Sequence, residues 1–278
     1  MTPTALAPQR PVALLLHGLC STPDELLSVH SALKHAGYPC LPVHIPGYSF
    51  EPERQRQLQQ PHQQWLASVQ QHVLALQAQG QRVVLIGISA GATLALASAL
   101  AYPGAHAGLV LLSTPLRLDG WAIPAYQFLL PLALYTPLGR WWRYRESPPY
   151  GVKNERLRAW IASELAQRRV SSAGAAVIEV GHLREHHRLQ RYVRRHLAHL
   201  QAPLTLAMHA REDEIASLRN LDLLVRHVPP AVLHTLVLEN SYHMISMDND
   251  RHAVCRKVLD FMALVQQQVE DAAAANNR

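Results

Sequence analysis

The 278-residue chain contains no uncharged apolar run approaching the ~18 residues that a membrane-spanning helix needs, so no span is expected. The stretch Met1 to Arg10 is rich in proline and alanine and lacks the apolar core of a signal peptide, so export by that route is not expected. Cysteine is scarce: Cys20, Cys40 and Cys255 are odd in number and show no metal-ligand spacing. They read as reduced thiols of a cytoplasmic protein, with no metal site. Charged residues make up only 17% of the chain against 49% hydrophobic ones, a balance that suits one large globular domain carrying an inserted subdomain. The net charge is +6, but the basic residues are not interleaved with stacking aromatics in a nucleic-acid-binding module. The charge therefore reads as a solvated surface, with attraction to acidic partners as the weaker option and no nucleic acid expected.

What is present is organised around Gly87-Ile88-Ser89-Ala90-Gly91. The run before it, Arg82 to Ile86, is short, apolar and β-branched, as a buried parallel strand should be. The run after it, Ala90 to Ala101, is rich in alanine and leucine and reads as a helix. A serine between such elements, with glycine two residues away on each side, is a nucleophile elbow. The turn is too sharp for bulky flanking side chains, and it pushes the hydroxyl out at the carboxyl edge of a sheet.

The elements around the elbow follow a strand–helix alternation. Pro11 to Leu16 predicts a buried strand that ends at His17-Gly18-Leu19-Cys20-Ser21. Thr22-Pro23-Asp24-Glu25 then reads as a helix start, with Thr22 as N-cap and Glu25 completing a capping box. Leu26, Val29 and Leu33 recur at helical spacing up to Gly37. Cys40 to Ile45 predicts a strand whose internal proline fits best near a strand end. Trp65, Val69, Val73 and Leu76 mark a helix that stops at Gly80. Gly108 to Leu112, Pro203 to His209 and Val232 to Leu238 predict further strands, with a helix from about Ser217 to His227 before the last. A helix from Arg251 to Val269 and a frayed tail from Ala272 close the chain. This rhythm predicts a mostly parallel sheet with helices on both faces.

From Leu116 to Gln201 the rhythm breaks and no strand is convincing. Trp121, Tyr126, Phe128, Leu129, Leu130, Leu132, Leu134, Tyr135, Trp141 and Trp142 crowd one part, and His186, His187, Arg191, Arg194, Arg195 and His196 another. We read the segment as a helical cap inserted in the core. The aromatic group reads as the cap's own core, with an acyl-pocket lining as the alternative. The His/Arg run reads as a solvated helix face rather than a metal site.

Three residues then fall at strand ends in the order serine, acid, histidine: Ser89, Asp213 and His243. In a parallel sheet all three reach one carboxyl edge. A neutral hydroxyl needs a base, which His243 supplies, and Asp213 orients and stabilises the imidazolium. Glu212 and Glu214 are rival acids, while His17, His209 and His234 read as structural. The oxyanion hole is expected from the backbone N–H groups of Ala90, just after the nucleophile, and Leu19, after the first strand. Each donor would contribute roughly 3 kcal/mol to stabilising the intermediate.

His17-Gly18-Leu19, Gly87-Ile88-Ser89-Ala90-Gly91, Ala210-Arg211-Glu212-Asp213-Glu214 and Ser241-Tyr242-His243 resemble the successive signatures of α/β-hydrolases, most of all the bacterial carboxylesterase and monoacylglycerol lipase group. The resemblance covers residues 11–115 and 203–265. It implies an α/β-hydrolase fold with a sheet of about six strands, a Ser-His-Asp triad, a helical cap over an acyl pocket and no cofactor. The two antiparallel edge strands of larger relatives are expected to be missing. Ala90 and Ala92 stand where many relatives have a larger residue or a glycine. The expected domains are a core of residues 1–115 and 202–278 and a cap of residues 116–201. The expected activity is hydrolysis of small-molecule carboxylic esters, monoacylglycerols among them, through an acyl-serine. A thioesterase or acyltransferase with the same triad is the alternative. A non-catalytic binding protein is a weaker one, since it has no need of all three triad residues.

Overall fold

The computed structural model describes residues 10–54, 57–137, 139, 143–167, 170–171 and 173–276. In chain order its first half contains β1 (Val12–Leu16), α1 (Leu27–His35), β2 (Cys40–Pro42), α2 (His62–Gln77), β3 (Val83–Ile88), α3 (Ala90–Ala101) and β4 (Gly108–Leu112). A middle segment holds α4 (Leu130–Tyr135), β5 (Arg143–Arg145), α5 (Glu155–Gln167), β6 (Val170–Ser171), β7 (Gly174–Ala175), β8 (Val177–Glu179) and α6 (Val180–His196). Then follow β9 (Leu204–Ala210), α7 (Arg219–His227), β10 (Leu233–Leu238) and α8 (Arg251–Asn276).

The continuous apolar runs become the interior strands of one sheet, ordered β10-β9-β4-β3-β1-β2, with every neighbouring pair parallel. Every side chain of β1, β3, β4 and β9 is buried, because helices cover both faces. Leu14 and Leu16 pack with Val69 and Val73 of α2 and Leu94 of α3 on one face. Ala13 and Leu15 pack with Val29 and Leu33 of α1 and Val258 and Phe261 of α8 on the other. This alternation is the period of two that pleating imposes. The chain leaves β1 for the edge strand β2 and returns on the other side of β1 as β3. The crevice at the carboxyl ends of β1 and β3 is thus the switch point where open α/β sheets bind ligands.

Four expectations are corrected. The second strand stops at Pro42 instead of continuing to Ile45; a proline without a ladder donor is tolerated at the end of an edge strand. The capping box at Thr22 does not form: the Thr22 hydroxyl bonds Asp24 Oδ2 and makes no cap bond. The Glu25 carboxylate instead turns inward to the buried backbone N–H of Gly18, which has to find an acceptor. The last helix continues through Asn276, into the segment from Ala272 expected to fray. The segment between β4 and β9 also contains strands, β5 paired antiparallel with β8 and β6 with β7. Ladders of two or three residues are too short to leave an alternation pattern in the sequence.

Candidate active site

Ser89 sits between β3 and α3 with φ 53° and ψ −123°, a left-handed conformation that a side-chain-bearing residue holds only when its surroundings enforce it. The enforcement is visible in the flanking glycines. A Cβ on Gly91 would lie 2.1 Å from the Leu16 carbonyl oxygen, and one on Gly87 would lie 2.4 Å from the Gly91 carbonyl. The Ser89 N–H donates to the Leu112 carbonyl at 2.9 Å, which ties the turn to β4.

His243 follows β10 on a loop, and its Nε2 lies 2.8 Å from Ser89 Oγ. Its Nδ1 lies 2.8 Å from Asp213 Oδ2 and 3.0 Å from Oδ1. Asp213 is fixed by the backbone: Oδ1 accepts the N–H groups of Ile215 at 2.9 Å and Ala216 at 2.8 Å, a side-chain turn that closes the loop after β9. Burial alone would raise the Asp213 pKa. It is outweighed by the charge of His243 and by hydrogen bonds from His209 and His243, which hold the carboxyl well below the usual carboxylate range. Burial alone would likewise lower His243, but the Asp213 charge and hydrogen bond, with Glu214 and Glu25 nearby, raise it to about 9.

The loop after β1 is braced from three sides. His17 Nδ1 meets the Gly18 carbonyl at 2.7 Å and its Nε2 meets Ser49 Oγ at 2.7 Å. The Tyr48 hydroxyl donates to the His17 carbonyl at 2.6 Å. Burial pushes His17 down to about 4, so it is a neutral bracket at physiological pH. Glu25 supplies the third support, its Oε2 accepting the Gly18 N–H at 2.5 Å. Leu19 and Ala90 face the same cavity as Ser89 and His243.

That cavity has a volume of about 570 Å³. Its apolar wall comes largely from the segment between β4 and β9, including Ile123, Leu129, Leu130, Ala133, Ile178 and Leu183. A largely apolar cavity beside a Ser–His–Asp arrangement can hold a hydrophobic acyl group with its carbonyl carbon at the serine.

The family model for "Serine aminopeptidase, S33" matches residues 7–250. The chain belongs to this family of α/β-hydrolases. The hydrolase is 27% identical over 251 residues to a thermostable monoacylglycerol lipase of Bacillus sp. (strain H-257), covering 90% of this chain and 89% of that protein. Its fold is similar to that of a soluble variant of the Saccharomyces cerevisiae monoglyceride lipase in complex with a substrate analog. There the TM-score is 0.75 at 14% identity, with 94% of this chain and 88% of that one covered. It is similar as well to the thioesterase domain from the curacin biosynthetic pathway, with TM-score 0.60 at 19% identity and 91% and 92% coverage.

The hydrolase brings Ser89, His243 and Asp213 into one hydrogen-bonded line and leaves their rivals elsewhere. Glu212 is exposed and bonded to Lys153 Nζ at 2.8 Å. Glu214 is buried, but its Oε2 accepts the backbone N–H of His243 at 3.0 Å rather than the ring. His234 is exposed on β10. His209 does more than pack: its Nε2 lies 2.6 Å from the Ala216 carbonyl and 3.3 Å from Asp213 Oδ2, so it braces the acid. Two readings of the middle segment are corrected. Among its described members the aromatic group does not form a core: Trp121, Tyr126 and Phe128 are exposed, only Leu134 is buried, and Tyr126 lines the cavity. Trp141 and Trp142 lie outside the described residues. Within the His/Arg run Arg191, Arg195 and His196 are exposed as expected, whereas His186 is buried and His187 half-buried, and both line the cavity. His186 is buried with Nε2 unpartnered, and burial lowers it to about 3, so its ring stays neutral. Among the described residues no His, Cys, Asp or Glu group is placed to hold a metal ion, and no helix is long and apolar enough to cross a membrane.

Proposed function

We propose that this hydrolase cleaves carboxylic esters through an acyl-serine, with Ser89 as nucleophile, His243 as general base and acid, and Asp213 as the orienting carboxylate. The observation that carries the reading is the unbroken line Ser89 Oγ–His243 Nε2 at 2.8 Å and His243 Nδ1–Asp213 Oδ2 at 2.8 Å, opening on an apolar cavity. Ser89 Oγ attacks the ester carbonyl while His243 takes its proton. The oxyanion is held by the N–H groups of Leu19 and Ala90. His243 returns the proton to the departing alcohol, and a water then repeats the sequence on the acyl-serine. Nothing in these steps calls for a cofactor. Residues 116–201 act as the cap on a core of residues 1–115 and 202–278, closing the acyl site against water. The two lipases to which the chain is similar support monoacylglycerols as substrates. The unpaired Cys20, Cys40 and Cys255 fit a reducing compartment, and the cytoplasm is the proposed location.

The test is covalent labelling with a fluorophosphonate, followed by p-nitrophenyl esters, an acyl thioester and an aminoacyl p-nitroanilide. Wild type is expected to label and to hydrolyse the oxygen esters fastest, and Ser89→Ala to lose both activities while keeping its circular dichroism spectrum. Esterase activity persisting in folded Ser89→Ala would overturn the mechanism. A thioester turned over more efficiently than the oxygen esters would move the assignment to the thioesterase-like neighbour's chemistry, and a preferred p-nitroanilide would move it to that of an aminopeptidase.

A further inference from the structure

His243 has to meet Ser89 from a loop. Residues 239–250, between β10 and α8, form neither helix nor strand. An unsupported loop would spread the imidazole over many conformations. The loop is pinned instead, residue by residue. The Asn240 N–H and the Ser241 hydroxyl donate to Asp250 Oδ2, both at 2.9 Å. The Tyr242 N–H donates to Asp248 Oδ2 at 2.9 Å. The His243 N–H donates to Glu214 Oε2 at 3.0 Å, and the Met244 N–H to the Gly151 carbonyl at 2.8 Å.

Asp248 joins two parts of this arrangement. It is 0% exposed, and each of its oxygens is used twice. Oδ2 accepts the Tyr242 N–H and, at 2.6 Å, the Lys153 N–H. Oδ1 accepts the N–H groups of Asn154 and Asn249, both at 2.9 Å. An ionised carboxylate offers about four acceptor positions, so these four backbone donors saturate it. Residues 153 and 154 precede α5 and are anchored themselves. Val152 and Ile161, on either side of them, are fully buried in the core cluster that also holds Met244, Ile245 and Val258. The Asn154 side-chain amide adds a bond to Asn249 Oδ1 at 2.8 Å. One buried carboxylate thus fastens the backbone just before the base to a packed stretch of the core. It meets main chain, whereas the charges that raise the His243 ring are those of Asp213, Glu214 and Glu25.

We propose that Asp248 is a positioning residue of the hydrolase: by clamping residues 240–244 against the backbone ahead of α5, it sets the reach of His243 Nε2 to Ser89 Oγ. The inference rests on the ester-hydrolase reading and adds to it a group that touches neither the substrate nor the reacting atoms. The Tyr242 N–H lies one peptide before His243, so a shift of that amide is carried into the imidazole. His243 takes a proton from Ser89 in the first step and from water in the second. A displaced ring therefore slows both steps, while binding of the ester, which Asp248 does not touch, is unchanged. Asp248→Asn keeps the shape of the side chain but turns one acceptor oxygen into an NH2 donor. Whichever way that amide faces, two backbone N–H groups then meet another donor, and the loop has to move.

The experiment measures p-nitrophenyl hexanoate hydrolysis across pH in the full chain, with competent sites counted by fluorophosphonate titration run to completion. For Asp248→Asn the expected kcat per titrated site is about a hundredfold below wild type, the scale of a misplaced reacting group. KM is expected to stay within about twofold of wild type and the pH midpoint to stay in place, because the loss falls on the transition state alone. Val258→Ala, a buried substitution on α8 away from the site, is expected to lower the unfolding midpoint and keep the wild-type kcat per site. A second variant replaces the Tyr242 amide by a backbone ester, through p-hydroxyphenyllactate, and so removes that N–H and nothing else. Its kcat per site is expected to fall about tenfold, the scale of one hydrogen bond to a charged group, and it decides the matter if Asp248→Asn does not fold. A wild-type kcat per site in the folded variant, with only fewer sites or a lower unfolding midpoint, overturns the proposal in favour of a purely structural role. So does a Val258→Ala loss of kcat as large as that of Asp248→Asn. A pH midpoint that moves down while the alkaline plateau stays at the wild-type level overturns it too, since Asp248 would then act through its charge. Wild-type enzyme that neither labels nor hydrolyses any ester overturns the ester-hydrolase reading itself.

Discussion

At the scale of single residues, His243 is surrounded by acceptors and negative charge: Asp213 on Nδ1, Glu214 on its backbone N–H, and Glu25 within electrostatic reach. The protonated ring is therefore favoured, and its pKa is raised to about 9 against an ordinary value of 6.5. A general base works only when deprotonated, so activity is present above the raised pKa and is lost as pH falls through it. We expect kcat/KM for an uncharged ester to climb into the alkaline range with a midpoint near 9. The motif alone would place the midpoint near the ~6.5 of a free histidine. Glu25→Gln removes one of the negative neighbours and keeps an acceptor for the Gly18 N–H, so its midpoint should move to lower pH. Glu25→Ala removes the acceptor as well and should also lower kcat, because the loop that carries Leu19 loses a support. Stopped-flow rates across pH 6 to 10 check both expectations, and a Glu25→Gln midpoint that stays at the wild-type value would contradict the electrostatic account.

At the scale of elements, the β3–elbow–α3 unit is a case in which local sequence and tertiary contact demand the same thing. Gly91 is required because its missing Cβ lets α3 approach the Leu16 carbonyl of β1, which a side chain would meet at 2.1 Å. Gly80 also has positive φ, at 77°, but a Cβ there would meet nothing within 4 Å. Gly80→Ala should therefore cost only the left-handed penalty of about 1–2 kcal/mol. Gly91→Ala must push α3 off the sheet, which should cost more stability in urea unfolding and about a hundredfold in kcat through the displaced Ser89. Equal unfolding midpoints for the two variants would show that the close approach is unimportant. The same coincidence explains what was legible in the sequence. β1, β3, β4 and β9 are apolar runs buried on both faces, and Ser89, Asp213 and His243 stand at strand ends, so periodicity and order expose them. Glu25 was misread because S/T-x-x-E is a local pattern, whereas its partner, the Gly18 N–H, is created by the fold. His186 acquires meaning only when α6 closes over the sheet, and no spacing within its own segment announces that.

At the scale of the whole molecule, the sheet carries the proposed reacting groups and the segment between β4 and β9 lines most of the apolar cavity wall. Ser89, Leu19, Asp213 and His243 follow the ends of sheet strands, while Ile123, Leu129, Leu130, Ile178 and Leu183 of the cavity wall come from the segment between β4 and β9. On the proposed mechanism, reactivity and acyl selectivity are carried by different parts of the chain and should respond separately to substitution. Each methylene buried against the apolar wall favours a longer acyl chain by roughly 0.8 kcal/mol, about fourfold in kcat/KM, until the cavity is full. In a p-nitrophenyl ester series the efficiency should rise with acyl length, pass through an optimum and then fall. Leu130→Ala and Ile178→Ala enlarge the wall, so both should shift the optimum to longer chains while the rate of labelling by a small fluorophosphonate stays that of wild type. Trp121 is 60% exposed and does not line the cavity, so Trp121→Ala should leave the optimum in place. If the wall variants lower the rate for every chain length equally, selectivity does not reside in the inserted segment. If they slow fluorophosphonate labelling as well, cap and nucleophile are coupled through more than the shared cavity.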